Sequence, residues 1–186
     1  MTGAGPLPRV ALHVCCGPCA SAVIERLAER FRVKAVWHNP NIHPKDEHAR
    51  RLDGMRTVAK ALDIPLTVLE YDVPAWYEAC AGLLDEPEGG ARCPVCFRLR
   101  MARVAEFAVG EGIEFFASTL TVSPHKPAAI INPIGEAVAG ELGVTFVAED
   151  FGKRAGFARS IEMSREYGLY RQRYCGCLPS IRTGGK

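Results

Sequence analysis

No run in this chain of 186 residues is long and apolar enough to cross a bilayer, which excludes a membrane-spanning helix. The opening residues MTGAGPLP lack the basic start and apolar stretch of a secretory signal. A cytoplasmic protein with no membrane partner is therefore expected. One-sided charge is missing too. Lys and Arg number 23 against 21 Asp and Glu, so the net charge of +2 demands no nucleic-acid partner by itself. Internal repeats, low-complexity tracts and long linkers are absent, and 48% hydrophobic residues are ordinary for a globular chain. The expectation is one full-sized domain over residues 10–180, with 1–9 and 181–186 as loosely ordered ends.

What the chain has in abundance is cysteine. Seven of the eight fall into three tight groups: Cys15, Cys16 and Cys19 in CCGPC, Cys93 and Cys96 in CPVC, and Cys175 and Cys177 in CGC. In a reducing compartment this spacing points to metal binding or redox turnover rather than a disulfide framework. Cys80 stands alone in WYEACAGLL and reads as a small buried hydrophobe. Adjacent cysteines do not readily bridge each other, but they can present thiolates to different metals or to two irons of one cluster. CPVC completes four thiolates with Cys15 and Cys16, a set that suits either zinc or a four-iron cluster. CGC can close as a strained disulfide or chelate one metal. A purely structural zinc staple is the bland alternative, and seven thiolates are more than such a site needs.

The pattern alternates strand and helix. Apolar strands are expected at 10–14, 33–39, 66–72, 114–120 and 144–150. Helices are expected at 21–31, at 46–63, near PAWYEACAG, from CPVC through FRLRMARVAEFAVGEG, between Pro127 and Leu142, and over SIEMSREYGLYRQ. This predicts an α/β fold: a single-domain, Rossmann-like three-layer sandwich with a mostly parallel sheet. CCGPC then falls between the first strand and its helix, at the carboxyl-end crevice where such sheets bind ligands.

Two basic stretches abut cysteine motifs: Arg92, Arg98, Arg100 and Arg103, and then Lys153, Arg154, Arg159, Arg165, Arg171, Arg173 and Arg182. They point to an anionic substrate, although a solvated helix face accounts for any single arginine. His38, Asn39, His43 and Asp46 at the end of the second strand, and Thr119, Thr121, Ser123, His125 and Lys126 after the fourth, are weaker polar candidates. His13 reads as a core histidine. Asp150 and Lys153 read as a pair or a helix cap.

Five pieces stand here in a fixed order: CCGPC, NPNIHP, EPEGGARCPVCFRLR, FFASTLTVSPHK and SIEMSREYGLYRQRYCGCLPS. Together they resemble the cobalamin-independent, iron–sulfur epoxyqueuosine reductases over about residues 10–180. The resemblance implies a fold similar to adenosine-nucleotide hydrolase-type domains. It also implies reduction of epoxyqueuosine to queuosine at the wobble position in the anticodon loop of tRNA, the last step of queuosine synthesis. By motif, Cys15, Cys16, Cys93 and Cys96 would hold a [4Fe-4S] cluster, and no cobalamin would be needed. Cys175 and Cys177 would be a redox pair or the ligands of an additional mononuclear iron, and Cys19 would face that second metal. An electron donor, not encoded here, is required. Candidate acids for the departing oxygen are Asp150, His43 and Tyr174, with Asp150 grouped with Cys175 and Cys177 as catalytic. Gly17 replaces a frequent alanine, which should only loosen the turn, and Gly89 replaces a longer, often basic residue.

Three other classes compete. A tRNA-thiolating enzyme would carry an ATP-binding Gly/Ser-rich loop where CCGPC stands. A thiol–disulfide oxidoreductase would use CGC alone, and a zinc-stapled tRNA-binding module would lack redox chemistry.

Overall fold

The computed structural model describes residues 5–181; the arginine at 182 and the expected tail beyond it lie outside the described residues, as do residues 1–4. Five strands form one all-parallel sheet in the order β3-β2-β1-β4-β5. These are β1 (Arg9–Val14), β2 (Arg32–Trp37), β3 (Leu66–Val68), β4 (Phe115–Ser118) and β5 (Thr145–Phe146). The helices are α1 (Gly17–Ala28), α2 (Lys45–Ala61), α3 (Val73–Ala79), α4 (Arg92–Gly110), α5 (Ala128–Leu142) and α6 (Gly156–Glu166). Short 3-10 turns cover Thr119–Val122 and Leu178–Ser180. Val10, Leu12 and Val14 of β1 pack with α1 and α2 on one face, while Ala11 and Phe116 pack with Met101 and Val104 of α4 and Val138 of α5 on the other. That is the expected three-layer sandwich, and its sheet is wholly parallel. Among the described residues, no helix is long and apolar enough to cross a membrane.

The departures from the sequence reading have local causes. Helix α1 begins at Gly17 rather than at 21, because Pro18 is tolerated in a first turn and the Cys16 sulfur caps it by accepting from the Cys19 amide at 3.5 Å. Helix α5 runs unbroken through Pro133. Gly135 is a packing requirement there, since a Cβ would lie 2.5 Å from the Phe146 ring of β5. Gly17 likewise does more than loosen a turn: a Cβ would stand 2.7 Å from the backbone oxygen of Gly54, so α1 and α2 meet backbone to backbone. The edge strands β3 and β5 are shorter than the alternation suggests, which blunts the open edges. Helix α6 stops at Glu166 and Gly168 follows at φ +61°, so residues 167–177 form an extended strap instead of more helix.

Buried histidines tie this fold to pH. Trp37 Nε1 donates to His48 Nε2 at 2.9 Å, which requires a neutral ring. Burial, with Arg51 and His43 nearby, lowers the His48 pKa to about 4. Burial, with Arg100 and Arg103, lowers that of His38 to about 4. The unfolded chain therefore binds protons that the folded one refuses, and stability falls as pH drops from about 6.5 towards 4. At pH 5 each ring should cost on the order of 1–2 kcal/mol after solvent screening. Urea unfolding of the metal-free protein at pH 7.5 and pH 5 checks this, and the midpoint should drop clearly at pH 5.

Candidate active site

The strand order reverses between β1 and β4, and this switch point is where CCGPC emerges. The end of β4 meets it directly. The Thr119 hydroxyl accepts from the Cys15 amide at 3.3 Å and donates to the Cys15 sulfur at 3.4 Å. The sulfurs of Cys15, Cys16 and Cys19 all lie within 4.8 Å of one another, with Cys15 and Cys16 at 4.0 Å. Without metal this triple concentrates its charge on one member. Hydrogen bonds from Cys16 and Cys19 hold the Cys15 thiol well below the usual range, aided by Lys126 and Arg100. The same bonds push Cys16 up to about 12 and Cys19 higher than an ordinary thiol.

Cys93 and Cys96 occupy the first turn of α4, three residues apart and so on one face of it. Burial raises both thiols, Cys96 to about 11. The Gly89 amide donates to the Cys93 sulfur at 3.2 Å, from a residue at φ +89°. Glycine is therefore suited to this position by its backbone, and open space surrounds its Cα. Cys175 lines a cavity with Cys15 and Cys19 and a second, smaller one with Cys93. Cys177 is buried against Cys96, Cys80 and Trp76. All eight cysteines are free thiols here, Cys175 and Cys177 included.

The strap that carries CGC is held by residues whose role the sequence did not announce. Arg51 of α2, buried and paired with Glu47 at 2.7 Å, donates to the carbonyls of Cys175 at 2.8 Å and Tyr174 at 3.1 Å. Tyr170 donates to Glu47 at 3.0 Å, and the Tyr174 hydroxyl donates to the His43 carbonyl. The His43 amide donates to the Gly176 carbonyl at 2.8 Å. Gly176 takes φ +145°, where a Cβ would sit 3.1 Å from Asn41 and Ile42. The only sequence signal for this clamp was an i, i+4 Glu–Arg pair, which normally marks a solvated helix face.

The main cavity of the site, about 340 Å³ and smaller than the one of about 440 Å³ beside α3 and α4, opens over Cys15, Cys19 and Cys175. Arg51, Arg100, Lys126, Arg171 and Arg173 line it, against Glu88 as its carboxylate. Burial works against the Lys126 charge, but the facing sulfurs of Cys175, Cys15 and Cys19 outweigh it and raise the ammonium's pKa. Arg100 is buried and donates to Asn39 at 2.7 Å, and Asn39 in turn donates to the Val14 carbonyl at 2.9 Å. Residues 39–43 of NPNIHP are buried and brace the site, and Ile42 among them lines the main cavity. His43 stacks on Tyr77, and His38 lines a separate cavity beside α3 and α4. Of the candidate acids, Tyr174 lines the main cavity. Asp150 accepts from the Gly152 amide and pairs with Lys153 at 3.6 Å. In the first basic group Arg92 clamps loop carbonyls, while Arg98 and Arg103 pair with Glu141 and Glu106.

A thiol-lined, cationic cavity at the switch point of a doubly wound sheet defines a redox-competent α/β enzyme. A family model described as "Epoxyqueuosine reductase QueH" matches residues 10–183, and the chain belongs to that family of oxidoreductases. It is 40% identical over 184 residues to the epoxyqueuosine reductase QueH of Streptococcus pyogenes serotype M1, covering 96% of this chain and 72% of that relative. The relative so named from Dehalococcoides mccartyi is 36% identical, with 93% and 92% covered. That from Thermotoga maritima is 33% identical, with 92% and 90% covered.

Proposed function

We propose that this chain reduces the epoxide of epoxyqueuosine at the wobble position of tRNA, giving queuosine. The observation that carries the reading is a cationic cavity of nucleotide size lined by thiols of two cysteine motifs, Cys15 and Cys19 of CCGPC and Cys175 of CGC, in a member of this family. With Arg51 neutralised by Glu47, four cations against the one lining carboxylate still favour a polyanion such as an anticodon loop, and binding should weaken steeply with salt. The wobble nucleotide would be turned out of the loop into the cavity.

The reaction opens two C–O bonds, forms an alkene and releases the oxygen as water, consuming two electrons and two protons. Cys15, Cys16, Cys93 and Cys96 would hold a four-iron cluster, and Cys19 with Cys175 and Cys177 a second centre. The donor set fits the group: soft thiols, with Cys16 and Cys19 crowded around Cys15 and N–H or O–H donors aimed at the sulfurs. When bound, the metal centre would supply electrons one at a time and a Lewis acid for the epoxide oxygen. Lys126 and Arg100 keep negative charge favourable at the Cys15 side of the cavity. Tyr174 lines the cavity wall, but its hydroxyl is held by the His43 carbonyl, so it would have to leave that bond to deliver a proton. An external electron donor completes the cycle.

A second reading has its own observation. Sulfurs within 4.8 Å match the spacing around one tetrahedral ion, where thiolates about 2.3 Å from the metal stand roughly 3.8 Å apart. A four-iron cluster spreads its ligands wider. Anaerobic purification with iron, sulfide and zinc analysis separates the two, followed by assay on epoxyqueuosine-containing tRNA. About four or five irons and roughly four sulfides per chain are expected. Stoichiometric zinc without sulfide after anaerobic reconstitution would sink the cluster reading.

A further inference from the structure

Three of the four sulfurs in the proposed cluster set accept a hydrogen bond, and the donors come from different parts of the fold. The Thr119 hydroxyl serves Cys15 at 3.4 Å and the Gly89 amide serves Cys93 at 3.2 Å. The Trp76 indole N–H, buried with no hydrogen-bond partner, packs beside Cys96. Cys16 receives the side-chain amide of Gln172 at 3.2 Å, besides the longer 3.5 Å capping contact from the Cys19 backbone.

Gln172 differs from the others in where it comes from. It sits 156 residues further along the chain, on the half-buried strap between α6 and CGC, and it lines the main cavity. The strap does not need it for docking. Arg51, Glu47, Tyr170 and Tyr174 already hold the strap to α2 and to the turn before it. What the amide contributes is a neutral N–H pointed at one sulfur. Adding an electron to a thiolate-ligated centre places more negative charge on its sulfurs, so such a donor favours the reduced state.

We propose that Gln172 is a positioning residue whose N–H···S bond to Cys16 raises the reduction potential of the metal centre held there, coupling the CGC strap to the redox poise of the cluster. The inference rests on the four-iron reading above. It is tested by anaerobic redox titration of the native chain, Gln172→Leu and Gln172→Glu, with iron and sulfide measured on each. All three should load equally. The midpoint of Gln172→Leu should move negative, and that of Gln172→Glu further still, because a carboxylate cannot donate and adds charge. At the native midpoint the reduced-to-oxidised ratio should fall by up to about tenfold in Gln172→Leu, equivalent to about 59 mV for one electron. Gln172→His, which keeps an N–H donor, should stay nearer the native value than either.

A fully loaded Gln172→Leu with an unmoved midpoint would overturn the proposal. So would a failure of both Leu and Glu variants to hold iron that the native chain holds, which would make Gln172 structural. A native chain that contains metal but no sulfide fails differently: it removes the cluster reading and this inference with it.

Discussion

Cys93→Ser should yield a folded protein without the proposed four-iron centre and without reductase activity. Cys93 occupies the first turn of α4 at the second, smaller cavity, 8% exposed, so the exchange of sulfur for oxygen removes little buried volume. The Gly89 amide that now donates to the sulfur can donate to a hydroxyl, which limits the cost of the buried polar group to within the usual 1–3 kcal/mol. The secondary structure should therefore survive. A serine hydroxyl is a poor substitute for a soft thiolate at iron, and no other cysteine is placed to replace it on that turn of α4. Removing an outer-shell partner alone costs about 10–100-fold in metal affinity or activity, so losing a ligand should exceed about 100-fold. The measurement is iron and sulfide per chain, far-UV circular dichroism and turnover on epoxyqueuosine-containing tRNA, with Cys80→Ala as the control. Cys80 is fully buried beside Cys96 and Cys177, and in the proposed assignment it carries no ligand role. Iron retained in Cys93→Ser, or lost in Cys80→Ala, would reassign the ligands.

Much of this site was visible in the chain because thiol chemistry constrains spacing. CCGPC and CPVC both lie at helix starts, where a proline costs no hydrogen bond and the sulfurs gather on one side. The central strands were legible for a related reason. β1 and β2 are covered on both faces, so four of the six residues in each are apolar. The edges were not, since alternation continues past the last residue that finds a pairing partner, as at β5. The strap was misread as helix because its arginines and tyrosines fall at helical intervals up to and beyond Gly168, whose positive φ ends the element. The clamp was hidden for a deeper reason. Glu47 and Arg51 are buried only because the strap covers them from more than 120 residues away, and periodicity carries no trace of that distance. The same holds for Gln172: a glutamine in an arginine-rich stretch says nothing about a sulfur at the other end of the chain.

The two cysteines of CGC stand in different surroundings, and Cys177→Ser should expose what that difference is for. Cys175 faces the main cavity, whereas Cys177 points inward and packs with Cys96, Cys80 and Trp76. Gly176 between them adopts a conformation open to glycine alone, and Arg51 fixes the carbonyl of Cys175. In the proposed reading the Cys175 sulfur would meet substrate, with Cys177 behind it. Acting as a dithiol, the pair would close to a disulfide and release two electrons and two protons, which balances removal of the epoxide oxygen as water. Acting as a chelate, it would hold one iron beside the cavity. Either role requires both sulfurs, and the expected result is loss of turnover with the brown chromophore kept, because neither sulfur belongs to the proposed cluster set. Metal analysis then separates the roles. Unchanged iron with unchanged sulfide indicates the dithiol, while loss of one iron at constant sulfide indicates the chelate. If the chromophore and sulfide disappear together, Cys177 is itself a cluster ligand. Its packing against Cys96 would then be the contact of two thiolates on one centre, and the division between cluster and CGC would have to be redrawn.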